Sequence, residues 1–124
     1  MTMPMVRTDM VAIADVPRAS AVKINGRATV AEVHELRQSI LADVAATDSS
    51  QLVLDLGGVE QMDTAGAAVL IEAIQLAKGK GLNLLLCSPS ESVVSMFQLA
   101  GLEDVLDYCC GNPQETKRRL LAYH

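Results

Sequence analysis

Across TVAEVHELRQSILADVAA (29–46) the apolar positions Val33, Leu36, Ile40 and Val44 recur every three to four residues, with His34, Glu35, Arg37 and Gln38 between them. That spacing lays one apolar stripe along a helix, and Thr29 ahead of it has the side chain of an N-cap. Upstream, DMVAIADV (9–16) and SAVKING (20–26) are strand-like runs separated by Pro17-Arg18, and the second ends in the turn signal Asn25-Gly26. The two runs predict a hairpin. Downstream, Thr-Asp-Ser-Ser (47–50) breaks the helix, and QLVLDL (51–56) is an apolar run too short for a helix, hence a buried strand, which Gly57-Gly58 ends.

From Thr64 to Lys78 the Ala, Leu and Ile spacing is helical again, with Gly79 and Gly81 around Lys80 as a stop. LNLLLCS (82–88) reads as another buried strand closed by Pro89, and SESVVSMFQLAG (90–101) as a helix capped by Ser90 and stopped at Gly101. EDVLDYC (103–109) reads as a last short strand, and Pro113 opens a final helix, PQETKRRLLAYH. The order β-β-α-β-α-β-α-β-α predicts an α/β fold with a mostly parallel sheet of four to five strands and helices packed on it. With 124 residues and no internal repeat or linker, the chain is expected to be one domain, 1–124.

Composition narrows the classes. Half of the residues are apolar and Trp is absent, so the core must be aliphatic. The formal net charge is −5, and Lys and Arg gather only at Lys117-Arg118-Arg119, which argues against nucleic acid as a partner. Three cysteines, Cys87, Cys109 and Cys110, are an odd number with two adjacent, a pattern of reduced thiols. Arg7, Asp9, Asp15, Pro17 and Arg18 interrupt the N-terminal apolar residues, and no apolar run approaches the roughly 20 residues of a membrane helix. A soluble, cytoplasmic chain without membrane insertion is the expectation.

Chemistry concentrates at VEQMDTAGAAVLIEAI (59–74), at the junction of a strand C-terminus and a helix N-terminus, where open α/β sheets place their functional groups. Asp63 is suited to cap the helix through the amide of Ala65 or Gly66, which leaves the Thr64 hydroxyl facing outward at the first helical position. Gly66 and the small Ala65, Ala67 and Ala68 permit another backbone to come close. Taken alone, Asp63-Thr64 is explained by capping, worth about 1 kcal/mol. Met62 and Met96 belong either to an apolar surface beside this helix or to the core. AKGKG (77–81) lacks phosphate-loop spacing, and His34 and His124 have no ligands at recurring spacing, so no metal and no cofactor is expected. With two histidines in the chain, no Ser, Cys or Thr has the partners that nucleophilic catalysis needs, and an enzyme is not expected. Cys109-Cys110 is a candidate redox pair, a buried or edge-strand thiol pair being the ordinary alternative.

The stretch LVLDLGGVEQMDTAGAAVLIEAIQLAKGKGLNLLLCSPSESVVSMFQLAGLEDVLDY (52–108) resembles the second half of a STAS domain, the family of bacterial anti-sigma factor antagonists and of cytoplasmic domains of sulfate transporters. An apolar strand ending in Asp-Leu, Met-Asp-Ser/Thr-x-Gly, an aliphatic helix, Gly, a strand, Ser-Pro and a helix ending in Gly-Leu carry the likeness. The resemblance implies that Thr64 is phosphorylated by a partner serine/threonine kinase and reset by a phosphatase. It also implies that Asp63, Thr64, Ala65, Gly66, Ala67 and Met96 meet an anti-sigma kinase, and it leaves room for a homodimer. Two departures stand out. Gly26-Arg27-Ala28-Thr29 replaces the family's Gly-Glu-Leu-Asp, removing that loop's acid, and Ala65 replaces a frequent second hydroxyl. The Asp-Thr-x-Gly stretch is also similar to stressosome components and to the small STAS subunit of a lipid-transport ABC importer, in which the same helix start would dock permanently.

Overall fold

The computed structural model describes residues 6–7, 10–12 and 19–110, with the backbone alone for 6–7, 11–12 and 106–110. Its elements are β1 (Val6–Arg7), β2 (Val11–Ala12), β3 (Ala19–Ala28), α1 (Val33–Ala46), β4 (Gln51–Met62), α2 (Thr64–Lys80), β5 (Asn83–Cys87), α3 (Glu91–Leu99), a 3-10 turn (Glu103–Tyr108) and β6 (Cys109–Cys110). β3, β4, β5 and β6 lie side by side in parallel, and β1 and β2 pair antiparallel with the outer side of β3. The expected hairpin partner of β3 is therefore present as β2, at Val11↔Ala21 and Ala12↔Ser20, while β1 extends the edge without having been foreseen. The final helix expected from Pro113 lies outside the described residues.

Alternation along the strands builds two apolar layers. Val22, Ile24, Leu52, Leu54, Leu56, Leu84 and Leu86 join Leu36, Ile40 and Val44 of α1, the inner face of α2, and Val93 and Phe97 of α3 in the main core. Ala19, Val53, Leu85 and Cys87 form a smaller buried cluster on the other face. A strand buried on both faces is apolar at nearly every position, which is why QLVLDL and LNLLLC, apart from Gln51, Asp55 and Asn83, read as near-continuous runs.

Four boundaries differ from expectation. Gly57-Gly58 do not end β4. Between Lys23↔Asp55 and Asn25↔Gly58, and again between Gly26↔Val59 and Arg27↔Gln61, β4 carries one residue more than β3, so the strand bulges twice and runs on to Met62. Asn25-Gly26 is likewise part of this irregular ladder, with Gly26 at φ 90, a conformation that suits glycine. Helix α1 starts at Val33, because the Thr29 hydroxyl donates to Glu32 Oε2 at 2.6 Å and thus does not cap, and residues 30–32 form a turn. Finally, most of 103–109 is a 3-10 turn: Gly101 at φ 71 reverses the chain, Leu102 N–H donates to Phe97 O and Val105 N–H to Leu102 O, and Leu102 and Val105 pack on the core. Local turn bonds override the β-propensity of Val105, Leu106 and Tyr108 there.

Helices α1 and α2 are tied at the surface. Lys80 Nζ donates to the carbonyls of Val44 and Ala45, groups that a helix C-terminus leaves unpaired. Arg37 makes a two-point contact with Glu72, at 2.9 and 2.6 Å. Hydrogen bonding from Arg37 holds the Glu72 carboxyl below its ordinary range, against the opposing pull of desolvation. A depressed folded pKa gives stabilisation that is present above the unfolded value and is lost as pH falls through the folded one. The pair is exposed, so its effect on stability is small. We expect an NMR titration of Glu72 to show a low midpoint that moves up in Arg37→Ala; an unmoved midpoint would break the link to Arg37.

Candidate functional site

The second bulge and the extra length of β4 carry the chain to Asp63, beside the end of β3. There Asp63 N–H donates to Ala28 O at 3.4 Å, and α2 begins. One carboxylate then makes three contacts. Oδ1 accepts from the N–H groups of Ala65 at 3.0 Å and Gly66 at 3.1 Å, the cap expected from the sequence. Oδ2 accepts from Val30 N–H at 2.8 Å, a bond from the β3–α1 loop that the sequence did not signal. Asp63 thus fixes two segments 33 residues apart.

Thr64 is exposed at the first helical position, as expected. Ala65 is half-buried and Ala68 exposed. Of the other residues expected to meet a partner, Ala67 has no exposed surface and Gly66 is buried. The backbone that approaches Gly66 is the protein's own, since a Cβ there would stand 2.1 Å from Ala28 O. The small residues of this helix start therefore serve two sides, with Gly66 and Ala67 turned to the sheet and Thr64 and Ala68 turned outward. Met96 is half-buried against the main core, and Met62, at 6% exposure, is a core residue.

Val30, missed by periodicity because it lies ahead of the helical stripe, is 70% exposed and sits next to Asp63 through its amide. Glu32 answers part of the missing-acid question: it supplies a carboxylate to this loop but is only 8% exposed, with Arg27 Nε at 3.1 Å and the Thr29 hydroxyl on its other oxygen. It is turned inward and offers no acidic surface. On the other side, Ser92 Oγ donates to Glu60 O at 2.7 Å and Ser90 caps α3 through Val93 N–H, so α3 is pinned to the same end of β4. Among the described residues no group of three or more His, Cys, Asp or Glu could hold a metal ion. No described helix is long and apolar enough to cross a membrane.

The surface that results has one exposed hydroxyl at a helix N-terminus, a neighbouring carboxylate whose oxygens are already engaged, and apolar groups at Val30 and Ala68. The sequence matches the STAS domain family over residues 10–117. The chain is a STAS-domain protein. Among curated proteins it is similar to the anti-sigma-B factor antagonist of Bacillus subtilis (strain 168), 29% identical over 86 residues that cover 69% of this chain and 77% of that one. Among solved structures, the STAS fold seen here is similar to the anti-sigma factor antagonist SpoIIAA in its unphosphorylated form, with TM-score 0.68, 15% identity, and 91% of this chain and 96% of that chain covered. The phosphorylated form of the Bacillus cell fate determinant SpoIIAA is similar too, with TM-score 0.62, 14% identity, and coverage of 90% and 98%. The STAS chain is thus related to anti-sigma factor antagonists and shares the fold of one solved in both phosphorylation states.

Proposed function

We propose that this STAS protein is a non-enzymatic, cytoplasmic anti-sigma factor antagonist that works as a phosphorylation-controlled partner switch. With Thr64 unmodified, the surface formed by Val30, Asp63, Thr64, Ala65 and Ala68, together with Met96 of α3, docks on an anti-sigma serine/threonine kinase. The kinase phosphorylates Thr64, and a phosphatase restores it. The observation that carries this reading is the exposed Thr64 hydroxyl at a helix start already secured by Asp63.

That arrangement separates signal from scaffold. A phosphate adds about −1.5 to −2 charge at pH 7. The helix dipole tolerates negative charge at the first turn, by about 0.3–1 kcal/mol, so the fold persists. The amides of Ala65 and Gly66, which would otherwise receive an anion, are already taken by Asp63, and the phosphate meets a carboxylate as its neighbour. It therefore projects from the surface as a hydrated dianion. An interface built on Val30 and Ala68 would have to desolvate it, at a cost of several kcal/mol for an unpaired ion.

The test is phosphorylation by the cognate anti-sigma kinase with ATP, followed by site mapping by mass spectrometry. A single phosphate on Thr64 is expected, and none on Thr64→Ala. That variant should melt within about 0.5 kcal/mol of the parent, as an exposed substitution away from caps and core does. Phosphate on another residue, or a Thr64→Ala chain that loses several kcal/mol, would contradict the reading.

A further inference from the structure

The Thr64 surface leaves the three cysteines unused. Cys87 ends β5, at 3% exposure, in the cluster with Ala19, Val53 and Leu85. The parallel register sets Leu86 beside Cys109 and Cys87 beside Cys110. Paired residues of neighbouring strands share a face of the sheet and successive residues alternate, so Cys87 and Cys110 hold positions on one face and Cys109 on the other. Neighbouring strands lie about 4.7–4.9 Å apart. That falls inside the Cα separation of about 4.4–6.8 Å that a disulfide spans. Because β6 is two residues long, any small shift that the bond requires disturbs little of the ladder.

From this juxtaposition we propose that Cys87 and Cys110 are a reversible thiol/disulfide pair, oxidised by hydroperoxides. The Cys110 thiolate attacks a peroxide oxygen; the O–O bond breaks, giving a sulfenic acid, and with hydrogen peroxide the other oxygen leaves as water. The Cys87 thiolate then attacks that sulfur. The S–S bond forms, the S–O bond breaks, and the departing hydroxide takes up a proton to become the second water. Two thiols have lost two electrons and two protons, and one peroxide has become two waters. Cys87 has the second role because a thiol shut off from solvent is reached by its strand neighbour sooner than by a reagent from water. The Ser88 hydroxyl lies 3.3 Å from Cys87 Sγ, within hydrogen-bonding reach. Such a pair fits a reducing compartment, where disulfides are transient and redox-sensing. The bond closes residues 87–110 into a loop that contains α3, and it is chemically independent of Thr64.

The experiment treats the reduced full chain with hydrogen peroxide, blocks residual thiols with N-ethylmaleimide and maps the peptides by mass spectrometry. Free thiols should fall from three to one, leaving Cys109, with a peptide pair joined through Cys87 and Cys110, and dithiothreitol should restore all three. Cys109→Ser should close as fully as the parent. Cys110→Ser should retain both of its thiols, whereas Cys87→Ala, without the resolving thiol, should hold Cys110 as a sulfenic acid that dimedone traps, both as monomeric chains. In denaturing urea the parent should give mixed pairings, since selectivity comes from the register. In the parent chain, a link through Cys109, Cys87 and Cys110 thiols that survive peroxide or pass to sulfinic acid, or the same selectivity in urea would overturn the proposal.

Discussion

Gly66→Ala is expected to destabilise the protein by about 3 kcal/mol, measured by chemical denaturation, although alanine is the better helix former by about 1 kcal/mol. The added Cβ would stand 2.1 Å from Ala28 O and 3.2 Å from Met62 Cγ. The carbonyl belongs to backbone at the end of β3, paired with Met62 and accepting from Asp63 N–H, so it cannot turn aside as a side chain would. Relief requires α2 to move off the sheet, which opens the contacts of Ala67, Leu70 and Ala73, all of them 1% exposed or less. An alanine variant as stable as the parent would mean that α2 does not sit this close to β3. Gly79, where an added Cβ meets nothing within 4 Å, is the control: Gly79→Ala should be neutral or slightly stabilising.

Asp63→Ala should cost about 2–3 kcal/mol in the same measurement, more than an N-cap alone. Besides uncapping α2 it leaves the Val30 N–H without its acceptor and frees the turn ahead of α1. Asp63→Asn separates the two duties. Its single acceptor oxygen serves either the Ala65 and Gly66 amides or the Val30 amide, so about half of the loss is expected. Hydrogen exchange should show the Val30 amide deprotected in Asp63→Ala. Protection equal to the parent's would remove the loop from Asp63's role and return it to ordinary capping.

What the sequence made legible follows from which forces are local. Periodicity reported α2 and α3, and capping chemistry reported Asp63, Ser90 and the left-handed Gly81 closing α2, because each depends on residues within a few positions of one another. The position of Thr64 followed from Asp63. The failures involve partners distant in the chain. Whether Gly57-Gly58 ends a strand or bulges it is decided by pairing with Lys23 to Gly26, some thirty residues earlier, and the turn before α1 is held by Asp63 from across the sheet. Gly66 shows the same limit: a small residue at a helix start signals a close approach, and only the packing tells that the backbone coming near is that of Ala28. The 3-10 turn at 103–108 escaped because a short run of Val, Leu and Tyr satisfies strand preference as well as a turn folded back on α3.

The central claim is that charge on Thr64 releases a partner while the fold stays intact. Its most direct test is the affinity of the cognate anti-sigma kinase for the unmodified and the Thr64-phosphorylated protein, by titration calorimetry, with thermal melting of both as the folding control. The account predicts binding at least about tenfold weaker after phosphorylation, since 1.4 kcal/mol suffices for that factor and desolvating an unpaired ion costs more. Thr64→Glu, with about half of the phosphate's charge, should fall between the two. Equal affinity at equal stability would place Thr64 outside the interface and contradict the account.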